Sequence, residues 1–78
     1  MKLNIQLQTK EPDQGTFGTY EAAFVPPLGI RIKFTSKTQA GGFPKGTKLS
    51  GIPNKYIETE IHDDRTRITI CIEEVRVG

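Results

Sequence analysis

The sequence predicts an all-β fold: a small antiparallel sheet of about five short strands, curled into a partly open barrel. Three observations carry this. Ile, Val and Thr make up 21 of the 78 residues, against seven Ala and Leu together, and branching at Cβ crowds a helix but packs well on a pleated surface. Eight Gly and five Pro punctuate the chain too often for long helices. Apolar and polar residues alternate with a period of two in several segments, the signature of a strand with one buried face.

Residues 2–8 read as the first strand, with Leu3, Ile5 and Leu7 on one face and Lys2, Asn4, Gln6 and Gln8 on the other. Pro12, Asp13 and Gly15 make the stretch from Lys10 to Gly15 a turn. Residues 16–25 read as the second strand, with Tyr20, Ala22 and Phe24 on one face. Phe17 breaks that parity, and Gly18 sits where a bulge would absorb the break. Pro26-Pro27-Leu28-Gly29 ends the strand, because neither proline donates a ladder hydrogen bond. Residues 30–35 read as the third, with Ile30, Ile32 and Phe34 inward and Arg31, Lys33 and Thr35 outward.

The stretch 36–54 leaves two readings open. It holds four glycines and two prolines, yet an unstructured loop of that length is unusual in a compact domain. Either Thr47-Lys48-Leu49 is a short strand, with Leu49 and Ile52 as anchors, or the stretch is a mobile basic loop. Residues 56–72 read as a hairpin with Ile57, Ile61, Ile68, Ile70 and Ile72 buried. A four-residue loop would pair Ile61 with Ile68, whereas a two-residue loop at Asp63-Asp64 would pair Glu60 with Arg67. The longer loop is expected, since Asp-Asp lacks the glycine that a tight type I′ turn favours. After Ile72 the parity shifts to Val75 and Val77, and Glu73-Glu74 marks either a bulge or the end of the pairing.

The segment Phe24-Val25-Pro26-Pro27-Leu28-Gly29-Ile30-Arg31-Ile32 is similar to one found in small SH3-like barrels, where a strand runs into a proline turn, a glycine and a short strand. The final hairpin fits the same strand order. The resemblance implies an SH3-like barrel fold and no functional residue. Members of that class bind peptides, nucleic acids or their own copies. The absence of Trp and the presence of only two Tyr argue against proline-peptide recognition, which relies on aromatic-lined grooves.

A chain of 78 residues fits one domain, residues 1–78. A single cysteine, Cys71, excludes an internal disulfide, and a single histidine, His62, leaves too few ligands for a zinc staple. No run approaches the ~18–20 apolar residues of a membrane span, and the alternating N-terminus is not a signal peptide. A cytoplasmic protein without cofactor or metal is therefore expected. His62 with Asp63 and Asp64 reads as a solvated turn. Cys71 reads as a small residue beneath another layer or at a subunit contact, and Glu58 with Glu60 as an exposed pair, since no pocket-forming segment accompanies them.

The charge is unevenly distributed. Residues 31–55 carry six cations (Arg31, Lys33, Lys37, Lys45, Lys48 and Lys55) and no acid, while residues 56–78 carry six acids against three arginines. Either oppositely charged strands pair across the sheet, or the cations form a basic face for an anionic partner, nucleic acid or an acidic protein surface. Phe43 lies among Gly41, Gly42, Pro44 and Lys45, so it either stacks on a base or plugs one end of the barrel. The expected function is a small non-catalytic binding module for an anionic partner, with Arg31, Lys33, Lys37, Phe43, Lys45, Lys48 and Lys55 as its site. The alternative is a structural protein that homo-oligomerises through its edge strands.

Overall fold

The structure, a computed structural model, describes residues 2–10 and 15–78; the turn expected around Pro12 and Asp13 lies outside them. Five strands follow in chain order, β1 (Lys2–Thr9), β2 (Thr16–Ala22), β3 (Ile32–Thr35), β4 (Lys48–Ile61) and β5 (Arg65–Val77). They form one sheet in the order β2-β1-β5-β4-β3. The all-β, partly open barrel of the sequence analysis is thus the observed architecture. Three of the pairings are antiparallel, but β1 runs parallel to β5, so the sheet is mixed. Leu3, Ile5 and Leu7 lie level with Thr66, Ile68 and Ile70, which puts both apolar faces on the concave side. A period of two fixes the face a side chain takes and says nothing about strand direction, so this parallel pair was not legible.

The sheet curls until its outer strands meet at one end. The backbone N–H of Lys37, just past β3, donates to the Phe17 carbonyl of β2 at 2.7 Å. The Lys37 Nζ donates to the Thr19 carbonyl at 2.6 Å, and the hydroxyls of Thr38 and Tyr20 donate to the carbonyls of Thr16 and Thr35. The core fills this closed end: Ile5, Leu7, Phe17, Ala40, Leu49, Ile70 and Ile72 are buried together. Phe17 meets Phe34 with ring centroids 5.1 Å apart, a tilted aromatic contact.

Phe17 reaches that position through the bulge expected at Gly18. Leu7 pairs with Gly18 and Gln8 with Thr16, which leaves Phe17 as the extra residue. Gly18 has φ 147°, and a Cβ there would stand 2.8 Å from the Lys37 Cβ. A side chain at this position would push apart the seam that closes the barrel.

The outer strands are shorter than expected. β2 ends at Ala22 and β3 begins only at Ile32, so Phe24 and Ile30 fall in the connection, 69% and 58% exposed. The inward placement expected for Ile30 does not hold, because the turn through Pro26 and Gly29 runs past it. That connection is anchored to β4, Gly29 N–H donating to the Pro53 carbonyl at 2.9 Å and Tyr56 donating to the Pro26 carbonyl at 2.7 Å.

The stretch 36–54 divides in two. Residues 48–54 belong to β4, while residues 36–47 fold as successive turns held by Ser36 N–H to Thr47 O, Gly46 N–H to Ser36 O, and a bridge between Ala40 and Phe43. β4 continues without a break into the hairpin with β5. The register is that of the two-residue loop: Glu60 pairs with Arg67 and Ile61 with Thr66. The four-residue loop is therefore incorrect. Among the described residues only Glu74 and glycines have positive φ, so the Asp63-Asp64 turn never draws on the conformation whose cost argued against it. The hydrogen bond from Arg67 Nη2 to Glu60 Oε1 at 2.5 Å and that from Lys2 N–H to Asp64 O at 3.1 Å hold this register.

Only part of the expected isoleucine face is buried. Ile70 and Ile72 are in the core and Ile68 packs beside it, but Ile57 is 43% and Ile61 78% exposed. β3 covers only Lys48–Gly51 of β4. The distal half of β4 therefore runs beyond the closed barrel, and a register shift at Ile57 turns that side chain aside. Among the described residues, no helix is long and apolar enough to cross a membrane.

Candidate functional site

Two features stand out: an apolar groove on the concave side and a cationic strip on the convex side. The groove exists because β2 and β3 meet at only one end. Further along, their edges diverge around an open space of about 560 Å³. Ile5 and Leu7 of β1 form its floor. Tyr20, Ala22 and Phe24 line one wall and Ile32 and Phe34 the other, with Lys33, Thr35 and Lys37 at the rim. Polar groups here are largely engaged. The Tyr20 hydroxyl donates to the Thr35 carbonyl, with the Phe17 carbonyl 3.3 Å away as the alternative acceptor, and burial pushes this phenol above its ordinary value. The Lys37 ammonium sits 4.6 Å from the centre of the Tyr20 ring, a cation–π contact. Sequence reasoning treated these apolar residues as core. The signal that marks a groove is the mismatch between the brief run Ile32–Thr35 and the long hairpin beside it.

The seven residues expected to bind a partner fall into distinct places. Lys33 pairs with Ser50 and Thr35 with Lys48, so Lys33 and Lys48 are diagonal neighbours on the convex face. They share a shallow depression beside Gly78. Lys45 is exposed on the turn that leads into β4, where Thr47 N–H donates to Pro44 O. Arg31 is half-buried and serves the fold. Its Nη1 donates to Ser50 Oγ at 3.1 Å and to the Glu74 carbonyl at 3.0 Å. Lys37 belongs to the seam. Lys55 lies on the distal half of β4, opposite Cys71, apart from Lys33 and Lys48. Phe43 packs against the core from the barrel end, beside Phe17, Ile72 and Val75.

Cross-strand charge pairing does not absorb the cations. Among the described residues, the ion pairs are Lys2 with Glu21, Lys10 with Glu73, and Glu60 with Arg67, and His62 Nε2 lies 3.4 Å from the same Glu60 carboxylate. None involves a cation of residues 31–55. Of the acids that could neutralise the strip, Glu58, Glu60, Glu73 and Glu74, two are committed elsewhere: Glu60 holds Arg67 across the hairpin, and Glu73 reaches Lys10 at 4.0 Å.

The remaining candidates are small. Among the described residues, no group of three His, Cys, Asp or Glu side chains could hold a metal ion. Cys71 is a free thiol, buried in β5, with Sγ 3.9 Å from the Thr9 carbonyl of β1. His62 contacts Glu60 at 3.4 Å, beside Arg67. Comparison with protein-family models, with curated proteins and with solved structures returns no match.

Proposed function

We propose that this chain is a small non-catalytic binding module that takes an anionic partner on the convex strip formed by Lys33, Lys48 and Lys45. The observation that supports it is the absence, among the described residues, of any carboxylate within ion-pair distance of these cations. An unneutralised strip projects its potential into solvent and attracts a polyanion. Nucleic acid is the class to test first. Recognition rests on charge, since Phe43 closes the barrel end and Arg31 holds a bulge. Titrating a labelled single-stranded oligonucleotide at increasing salt should give an affinity that falls with a log–log slope of about −0.7 for each phosphate neutralised. Replacing Lys45 and Lys48 with Ala should weaken binding and flatten that slope. Affinity indifferent to salt, or no binding at low salt, contradicts the reading.

A second reading, assembly through strand edges, is favoured by one observation. Tyr56, Ile57 and Ile61 are exposed on the part of β4 that β3 leaves uncovered, and an exposed apolar edge recruits another chain. Sedimentation that rises with concentration, and that Ile61→Lys returns to the monomer value, would support it. A monomer at every concentration would remove it.

A further inference from the structure

We propose that the groove between β2 and β3 binds a free single-chain anionic amphiphile, a long-chain carboxylate. This goes beyond the polyanion reading, which rests on the convex face. The volume of about 560 Å³ falls in the range of about 300–1,000 Å³ typical of small-molecule sites. Ile5, Leu7, Ala22, Phe24, Ile32 and Phe34 supply the walls, so the occupant must be mainly hydrocarbon.

The polar atoms on the walls sharpen this. The Tyr20 hydroxyl and the Lys37 ammonium already donate to backbone carbonyls. A ligand carrying hydroxyls or amides along its length would give up water and gain few partners, which is unfavourable. One charge on the rim is uncommitted: among the described residues, Lys33 has no ion pair. Charge complementarity therefore calls for one anionic end and an apolar body. An incoming peptide strand fits less well. The carbonyls of Thr16, Phe17 and Thr19 along β2 already accept hydrogen bonds from Lys37 and Thr38, so much of the ladder it would need is occupied.

The test titrates the protein with dodecanoate labelled at the carboxyl carbon, below the concentration at which it forms micelles, and follows it by NMR and calorimetry. One-to-one saturable binding is expected, with shifts at Ile5, Ala22 and Phe34. Each methylene removed from the chain should weaken binding by up to about fourfold. Lys33→Ala should weaken dodecanoate by up to about fivefold and leave dodecanol unchanged. Ala22→Phe fills the groove and should abolish binding of both. Phe24→Asp, at an exposed position that the fold tolerates, should do the same to dodecanoate by placing a carboxylate on the wall. No saturable binding, or binding that Phe24→Asp leaves intact, overturns the proposal, as does uptake of an acidic peptide but not of dodecanoate. The two readings fail separately: Lys48 lies outside the groove, so Lys48→Ala weakens oligonucleotide binding alone.

Discussion

Glu74 shows how one residue's role depends on geometry that composition does not report. It has φ 51°, a left-handed conformation that costs a non-glycine residue roughly 1–2 kcal/mol. The guanidinium of Arg31 holds its carbonyl across the sheet. Because that bond is to backbone, Glu74→Gly keeps it while relieving strain. Chemical denaturation should show a gain of up to about 1 kcal/mol; a loss would mean that the side chain itself is needed. Glu60 carries a second residue-scale prediction. The hydrogen bond from Arg67 holds its carboxyl below the ordinary value of 4.5, with His62 adding to the effect. A carboxyl depressed on folding stabilises the native state above its unfolded pKa, and that contribution is lost as pH falls through the lower native value. Following the Glu60 carboxyl carbon by NMR should place its midpoint below that of an unfolded glutamate, and Arg67→Met should move it up. An unmoved midpoint would contradict the assigned cause. Arg31 and Glu60 were legible as charges, but their partners were not, because each bond joins residues brought level only by the final register.

At the scale of elements, the alternation of apolar residues located β1, β2, β3, β5 and the distal half of β4, yet left the first half of β4 unresolved and the strands' lengths and neighbours open. β4 is the clearest case. A flat strand of 14 residues would span about 45 Å, whereas the longest extent of the molecule is 35 Å. The strand therefore bends, and its three register shifts against β5 are where it does so. The last of these, at Ile57, interrupts the alternation that the sequence reading carried unbroken from Ile57 to Ile61. Gly51 sits at one of them, and a Cβ there would collide with the Ile72 side chain. The division of β4 into a covered and an uncovered half yields a stability contrast. Ile70→Ala in the core should cost about 2–5 kcal/mol, while Ile61→Ala on the distal hairpin should fall within about 0.5 kcal/mol of the parent. Equal losses in urea titrations would mean that the distal hairpin is buried in an assembly.

For the whole molecule, the decisive fact is that a small sheet closes at one end only. The Lys37 and Thr38 contacts with β2 hold the seam, the core collects behind it, and the groove opens where β2 and β3 part. The sequence reading anticipated the barrel and the concentration of cations. It did not anticipate the groove, since an apolar residue facing inward reads the same whether or not another layer covers it. Nor did it resolve the fate of the cations, because opposite charge on consecutive segments looks like cross-strand pairing until the neighbours are known. Here the pairing of β3 with β4 leaves Lys33 and Lys48 as diagonal neighbours with, among the described residues, no carboxylate within ion-pair distance. The most direct test is to titrate isotope-labelled protein with a short oligonucleotide at low salt and map the backbone shifts. The account predicts perturbations centred on Lys33, Lys45 and Lys48 that fade as salt is added. Perturbations centred instead on Arg65 and Arg67 at the hairpin end, or none, would contradict it.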